Sequence, residues 1–298
     1  MADPKLDPRV TPARPDLAAK HLEGKVQAAR FVEGTEFEVF DPIAPVRRNP
    51  SHDAALETEA LKGERVTIYD RDAEGWAWGQ LQSDGYVGWL PDAALVQPRT
   101  TPTHKVIALR TFAFPGPSIK LPPAESLPLG ARVGIVKIEN GFAITSQPHY
   151  LPAQHVAALD IMEPDFVAVA ERFVGTPYLW GGKSALGIDC SGLVQVSLAA
   201  AGVAAPRDSD MQQAALGTAL PPDRWHDLKR GDLIFWKGHV AIVRDADSIV
   251  HANAHHMATA IEPVQAAIAR IKAAGSGVTS VKRLSPPSCP GLSRASTP

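Results

Sequence analysis

The sequence predicts a multidomain protein in which two small all-β barrels are followed by an α+β domain. Three observations lead to this fold class. The chain has 298 residues, which exceeds one typical domain. From about Gly24 to Val96, short alternating apolar segments are separated by glycine turns, as in a small barrel. After Glu163 apolar residues recur at helical spacing, and three apolar runs between Leu233 and Val281 are typical of strands.

Composition and charge exclude several classes of function. Hydrophobic residues make up 45% of the chain and the formal net charge is −2, without a stripe of basic residues. Nucleic acid is therefore not expected as a partner, because phosphate binding needs clustered Lys and Arg. No apolar run approaches the roughly eighteen residues of a membrane span. The stretch from Met1 to Lys25 lacks the apolar core of a secretory signal, so we expect a cytoplasmic protein with no membrane partner.

The N-terminal part divides into an arm and a first barrel. Residues 1–22 are predicted to be an arm, because their four prolines are spaced too closely for a helix. Residues 23–98 are assigned to the first barrel. Within it Gly63-Glu-Arg-Val-Thr-Ile68, Gly75-Trp-Ala-Trp78 and Gly85-Tyr-Val-Gly-Trp89 follow one another. This succession of motifs resembles bacterial SH3-like domains.

The rest of the chain is predicted to hold two further domains and a tail. Residues 97–103 are typical of a linker, and residues 104–159 repeat the β pattern more weakly, which predicts a second SH3-like barrel. The α+β domain is assigned to residues 161–284, with helices expected at 166–173 and 192–201. The Pro/Ser-containing tail, residues 285–298, is expected to be disordered.

A single cysteine is the candidate nucleophile. Of the two cysteines, Cys190 lies among closely spaced sequence motifs and Cys289 lies in the tail. Two cysteines cannot form a disulfide framework. Asp189 or a neighbour can cap a helix that begins here. Exposed N–H groups and the macrodipole in the first turn would favour a Cys190 thiolate, and the same amides could hold an oxyanion. The alternative for an isolated cysteine is a small buried hydrophobe.

Two histidines strengthen the catalytic interpretation. His239 and His251 each lie in a strand candidate, and residues 244–247 are typical of a turn. A hairpin folded about residue 245 would pair residues whose numbers sum to 490, with His239 opposite His251 and their Cβ atoms roughly 5 Å apart. One imidazole could then take the thiol proton while the second orients it. A slip of one residue would turn one ring away.

A metal site was weighed around the same histidines. His255 and His256 follow His251 closely, yet no cysteine or carboxylate cluster completes a zinc set in the sequence. We therefore predict no metal and no cofactor.

The segment from Phe173 to about Val264 resembles the NlpC/P60 cysteine peptidases. The resemblance is carried by six motifs in order: Tyr178-x-Trp-Gly-Gly, Asp189-Cys-Ser-Gly192, Pro206-Arg-Asp-Ser209, Leu228-x-x-Gly-Asp-Leu-Ile-Phe235, Gly238-His-Val-Ala-Ile242 and the strand that ends at His251. It implies a papain-like α+β core and a catalytic triad of Cys190, His239 and His251, with Tyr178 beside the nucleophile.

Two SH3-like domains before such a peptidase resemble the γ-D-glutamyl-L-diamino acid endopeptidases, which act on murein-derived peptides. This resemblance implies that the first barrel closes the cleft, so that only peptides with a free N-terminal L-Ala fit. Tyr86 would project from this wall and Asp189 would meet the substrate ammonium. The residues implied near the D-Glu carboxylate are Ser191, Arg207 and Ser209. From the sequence alone Tyr86 could equally belong to the barrel core, and Arg207 could be a surface or helix-capping residue.

Three alternatives stay open at this stage. The same fold could hydrolyse other amides or transfer acyl groups. The protein could be a secreted general peptidoglycan hydrolase or amidase, or a non-catalytic SH3-type wall-binding protein. The intact Cys190, His239 and His251 set favours an enzyme over a binding protein. The diamino acid accepted, the oligomeric state and the role of the tail are not determined by the sequence.

Overall fold

The computed structural model describes residues 6–99 and 101–284, so the tail with Cys289 lies outside the described residues. Among them the chain forms two β units followed by an α+β domain. Short 3-10 helices lie at Lys20–Leu22, Asp92–Ala94, Ala153–His155 and Pro222–Arg224. In this described part, no helix is both long enough and apolar enough to cross a membrane.

The first β unit is built around one seven-stranded sheet in the order β5-β4-β8-β7-β6-β3-β9, and β1 pairs with β2 separately. In β6, Val66 and Ile68 point into the core while their neighbours are partly exposed, as the alternation predicts. The strands are β1 Ala18–Ala19, β2 Phe31–Val32, β3 Thr35–Val39, β4 Ile43–Arg47, β5 Leu56–Leu61, β6 Arg65–Arg71, β7 Trp76–Leu81, β8 Val87–Pro91 and β9 Leu95–Val96.

The N-terminal segment packs against this first unit. The Val87 N–H donates to the carbonyl of Arg9, and the guanidinium of Arg14 lies 4.4 Å from the ring centroid of Trp78. Leu17 is fully buried. The predicted arm, in its described part, is therefore docked on the barrel and covers its tryptophan face.

The second β unit has three small sheets, with orders β13-β10-β17, β11-β12 and β14-β15-β16. It encloses a core of its own, in which Val106, Leu127 and Leu151 are fully buried. The strands are β10 His104–Val106, β11 Arg110–Ala113, β12 Glu125–Pro128, β13 Arg132–Val133, β14 Ile135–Glu139, β15 Phe142–Thr145, β16 Tyr150–Pro152 and β17 Val156–Ala158.

The α+β domain places helices on an antiparallel six-stranded sheet in the order β20-β25-β21-β22-β23-β24. One face of the sheet packs on α1 and α2, and the other packs on α4. The elements are α1 Phe166–Arg172, β18 Lys183–Ser184, β19 Gly187–Ile188, α2 Cys190–Ala200, α3 Ser209–Ala215, β20 Thr218–Ala219, β21 Leu233–Trp236, β22 His239–Val243, β23 Ser248–Asn253, β24 Ala258–Pro263, α4 Val264–Ala273 and β25 Val278–Arg283.

The expectation of three strands between Leu233 and Val281 is wrong, because five strands and helix α4 occupy this region. The additional elements are amphipathic and half-exposed, so they lack the continuous apolar run by which a buried strand is recognised. In α4, for example, only Val264 and Ala267 are buried.

Strand β5 joins the first β unit to the α+β domain. The Lys183 N–H donates to Glu59 Oε2 at 2.8 Å, and Arg207 Nε donates to Thr58 Oγ1 at 2.9 Å. Gly181 has a φ of +79°, and a Cβ there would lie 2.6 Å from the carbonyl oxygen of Leu56. The close approach of the two backbones therefore requires glycine at this position.

Candidate active site

Cys190 is the first residue of α2, and Asp189 caps the helix. The Gly192 N–H donates to Asp189 Oδ1 at 2.7 Å, as the sequence predicts. Cys190 is 6% exposed and, among the described residues, is the one cysteine and carries no disulfide. The thiol is thus held at a helix start and nearly closed off from solvent.

Burial decides the protonation state of this thiol. It raises the pKa of Cys190 to about 12, although the backbone N–H groups of Val240 and Ser191 act in the opposite direction. The helix-start amides therefore act in the expected direction, but the desolvation of the charged form outweighs them. A thiol in this state would need a base to take its proton before the sulfur could act as a nucleophile.

His239 and His251 are brought together by the β22–β23 hairpin. Nε2 of His239 lies 2.8 Å from Nδ1 of His251. Ile242 pairs with Val250, so the residue numbers of paired positions sum to 492. The predicted sum was 490, so the predicted register is wrong by two residues. The Asp245 carboxylate accepts from backbone N–H groups within the turn and shifts its centre. The error of two residues preserves the side-chain face, and the rings meet diagonally instead of directly across the ladder.

Both imidazoles are neutral at physiological pH. Desolvation lowers the pKa of His239 to about 3, and it lowers the pKa of His251 to about 3 as well, with a further contribution from Arg270 to each. His239 is partly exposed at the start of β22, whereas His251 is 1% exposed. A neutral imidazole has a nitrogen lone pair that can accept a proton, which is the protonation state that a general base needs.

Tyr178 lies near Cys190. Its ring is partly buried and packs against the core of the α+β domain. Burial raises the pKa of Tyr178, and the nearby Cys190 and Asp189 side chains act in the same direction. Tyr178 is therefore a protonated donor in this region.

Arg207 and Asp189 form a buried bidentate ion pair. Arg207 Nη2 lies 2.6 Å from Asp189 Oδ2, and Nη1 lies 2.9 Å from Oδ1. Nη1 also donates to Ser191 Oγ at 2.9 Å. The Arg207 side chain is 1% exposed, so it is neither a surface residue nor a helix cap.

The remaining acceptor positions of Asp189 are also occupied. Oδ2 accepts from the Gly181 N–H and Oδ1 accepts from Gly192 N–H and Ser191 Oγ. Contact between Asp189 and a substrate ammonium would require one of these bonds to open. Ser209, the first residue of α3, is partly exposed beside this region.

Tyr86 belongs to the barrel core, and its hydroxyl reaches the α+β domain. It is 2% exposed and belongs to the core of the first β unit. Its hydroxyl nevertheless lies 3.2 Å from Asp208 Oδ2 and 3.4 Å from Glu57 Oε2. The side chain therefore spans from the barrel core to the face that meets the α+β domain.

Four residues that contact the predicted site residues, directly or through Asp208, were not singled out from the sequence, namely Arg9, Glu57, Asp208 and Glu262. Arg9 of the N-terminal segment donates to Asp208 Oδ2 at 2.8 Å, and Glu57 pairs with Arg48. Glu262 accepts from His251. Asp208 had a signal, because it lies inside the Pro206–Ser209 motif, but no local pattern distinguishes Arg9, Glu57 or Glu262.

One set of side chains in the described part has metal-ligand composition. Ligand atoms of His251, His256 and Glu262 lie within 4.8 Å of one another, so the expectation that no carboxylate joins the histidines is wrong. Glu262 comes from β24, which pairs with β23 only in the folded chain. Arg270 donates to the same carboxylate, and its fixed charge opposes a cation there. The absence of a metal stays our prediction.

The comparisons with known proteins agree with this architecture. Residues 46–95 match a family model described as the bacterial dipeptidyl-peptidase Sh3 domain, and residues 175–273 match the NlpC/P60 family. A gamma-D-glutamyl-L-lysine dipeptidyl-peptidase from Bacillus cereus is 29% identical over 244 residues, which are 70% of this chain and 71% of that protein. A protein of the same name from Bacillus subtilis is 31% identical over 200 residues, 62% of this chain and 65% of that protein.

A solved structure supports the fold. The crystal structure of an NlpC/P60 family protein from Bacillus cereus superimposes with a TM-score of 0.71, covering 84% of this chain and 99% of that chain. The identity between the two is 19%, so the likeness concerns the fold alone.

Proposed function

Because this chain is a cysteine peptidase of the NlpC/P60 family with an SH3-like domain ahead of the peptidase domain, we propose that it hydrolyses the bond between γ-D-Glu and a diamino acid in murein peptides. The substrate would carry a free N-terminal L-Ala. The observation that carries this proposal is the acidic group formed by Tyr86, Glu57 and Asp208, where the first β unit meets the start of α3.

This acidic group has the chemistry of an ammonium site. The side chains of Glu57 and Asp208 are 15% and 25% exposed, so they are largely desolvated but reachable. Burial, Asp208 and Glu57 raise the pKa of Tyr86, which keeps the phenol protonated as a donor to Asp208. Burial also raises the pKa of Asp208, and it outweighs the opposing charges of Arg207 and of Arg9, which pairs with this carboxylate. A substrate ammonium would supply positive charge at this point.

The proposed chemistry uses Cys190, His239 and His251. Nε2 of His239 is engaged by His251, so Nδ1 is the nitrogen that can take the thiol proton. The sulfur then attacks the γ-carbonyl carbon of D-Glu, and amides at the start of α2 stabilise the oxyanion. His239 returns the proton to the leaving amine, which yields a thioester. Water deprotonated by His239 hydrolyses the thioester and releases the L-Ala-D-Glu product.

Finer structural and cellular assignments belong to the same proposal. We assign the second β unit as a second SH3-like domain and the α+β domain as papain-like, with α2 packed on the sheet that carries the histidines. A cytoplasmic location fits an enzyme that acts on free peptides instead of on the intact wall. A wall on the L-Ala side would leave no room for a sugar-lactyl group.

The test is a paired assay of the free peptide and its N-acetylated form at equal concentration, with products identified by mass. We expect acetylation to reduce turnover on the order of 10⁴-fold, because a site built around a buried polar partner rejects analogues that lack it. Intact sacculi should be poor substrates. Comparable rates on free and acetylated peptides would contradict the proposal and favour a general wall hydrolase.

Tyr86→Phe examines the same site from the protein side. We expect a higher KM for the free peptide, with a cost of about 1–3 kcal/mol if the hydroxyl is a buried partner. The matched control is Tyr69→Phe, which removes a hydroxyl from β6 of the same barrel at a ring that packs 5.9 Å from Trp78. An equal change in KM for both variants would count against a role for Tyr86 in binding.

A further inference from the structure

Glu262 continues the hydrogen-bonded row that begins at His239. Nε2 of His251 lies 2.7 Å from Glu262 Oε1, while Nδ1 of the same ring lies 2.8 Å from His239 Nε2. The side chains of His251 and Glu262 are 0% and 11% exposed. Both nitrogens of the buried His251 ring therefore have a protein partner, and a carboxylate ends the row.

Strand pairing explains how three residues distant in sequence form this row. In the β23–β24 ladder His251 pairs with Ala260, which puts Glu262 two residues further along and on the same face. His239 stands in the same diagonal relation to His251 on the other side. Diagonal neighbours in antiparallel sheets are within reach of long side chains. The row thus crosses β22, β23 and β24 on one face of the sheet.

The carboxylate determines where the protons of both rings lie. An ionised Glu262 can only accept, so Nε2 of His251 must carry a proton. Since His251 is neutral, its Nδ1 is then a lone pair. That lone pair must receive the Nε2 proton of His239, and the neutral His239 is left with a lone pair on Nδ1.

We propose that Glu262 is a positioning residue that sets the tautomers of His251 and His239, so that Nδ1 of His239 is the unprotonated nitrogen that accepts the Cys190 proton. This inference rests on the proposed catalytic role of Cys190 and His239. When His239 takes the thiol proton, its Nε2–H remains bonded to His251, and the Glu262 carboxylate stabilises the resulting imidazolium through the row.

Because Arg270 of α4 contacts the same carboxylate, removing Glu262 should change the proton positions on His251 and His239 in a defined direction. The Arg270 guanidinium donates to the same oxygen that His251 contacts. If Glu262 is removed, the cation faces Nε2 of His251 and favours a lone pair there. His251 then carries its proton on Nδ1 and donates to Nε2 of His239, so the proton of His239 moves to Nδ1. The fraction of molecules with a lone pair on Nδ1 of His239 therefore falls, although both histidines remain.

The direct test is a ¹⁵N-histidine NMR spectrum of the wild-type protein near pH 7, which distinguishes Nδ1–H from Nε2–H tautomers. We expect His239 and His251 both to be protonated on Nε2. A proton on Nδ1 of His239 in the wild-type spectrum would overturn the inference. This measurement depends neither on a substrate nor on the folding of a variant.

Two substitutions distinguish the need for a hydrogen-bond acceptor at Glu262 from the need for its negative charge. Glu262→Ala should reverse both tautomers and lower kcat/KM on the order of 10- to 100-fold, the range for losing the partner that orients a functional histidine. Glu262→Gln should keep the tautomers and most of the activity, because Arg270 and His251 both donate to one oxygen, which the amide carbonyl supplies. Equal loss in the two variants with unchanged tautomers would contradict the inference.

The control variant is Glu171→Ala, which removes an acid paired with Arg230 and Arg244 in the same domain. It should leave both tautomers and kcat/KM unchanged. If the wild-type protein cleaves no murein peptide while Glu262→Ala still reverses the tautomers, the proposed function fails and the positioning role stands. If peptides are cleaved but Glu262→Ala is as active as wild type, the positioning role fails alone.

Discussion

Arg207→Met should strongly destabilise the folded protein. Arg207 is one of the largest fully buried side chains of the described residues. The substitution would leave the Asp189 side chain, which is 9% exposed, without a counter-charge. Removing one partner of a buried ion pair costs about 3–5 kcal/mol, because the remaining charge is desolvated and uncompensated. Loss of the bond to Thr58 adds about 1 kcal/mol and weakens the contact with the first β unit.

The assay is urea unfolding followed by tryptophan fluorescence. At about 1.4 kcal/mol per factor of ten, the ion-pair loss corresponds to a 10²- to 10⁴-fold shift of the unfolding equilibrium. The matched control is Arg172→Met, whose guanidinium pairs with Glu163 where the two side chains are 36% and 31% exposed. A surface pair of this kind contributes about 0–1 kcal/mol, so the control should change little.

A second substitution identifies the cause. Adding Asp189→Asn to Arg207→Met removes the orphaned charge and keeps a good N-cap for α2. Part of the lost stability should therefore return, and the double-mutant cycle should show strong coupling. The reasoning would be refuted if Arg207→Met cost less than about 1 kcal/mol, the value of a surface pair. It would also be refuted if Asp189→Asn brought no recovery.

Four further predictions concern the site. Cys190→Ser should abolish peptide hydrolysis without unfolding the protein, and activity above a few per cent of wild type would exclude Cys190 as nucleophile. His239→Ala should be as severe as losing Cys190, whereas His251→Asn should be milder because an amide oxygen can still accept from His239; equal severity would reverse the role assignment. Both histidines have a folded-state pKa near 3 against 6.5 when unfolded, so the unfolded state binds more protons between these values. Stability should therefore be lost as pH falls below 6.5, by about 1.4 kcal/mol per pH unit for each histidine, and thermal melts of His251→Asn should show a weaker dependence. Chelators should leave activity intact, and inhibition that zinc reverses would contradict the prediction of no metal.

Local patterns accounted for much of the fold and for the residues that form the candidate site. The helix at Phe166–Arg172, the Asp189 cap and the turn after β22 all follow from spacing and turn chemistry within a few residues. The prediction that His239 and His251 lie on one face was also correct, although the predicted register was wrong. Side-chain direction in a strand depends only on the parity of the offset, and the error was an even number of residues.

The sequence by itself therefore determined that a cysteine lies at a capped helix start and that two histidines lie on one hairpin face. Only the tertiary structure decided which distant residues contact the site and which protonation state the Cys190 thiol adopts. Arg207 and Thr58 are 149 residues apart, and Tyr86 and Asp208 are 122 residues apart. Such contacts arise when separately patterned elements pack together, and no local periodicity encodes them. The neutral state of the Cys190 thiol has the same origin, because burial depends on everything that surrounds the helix start.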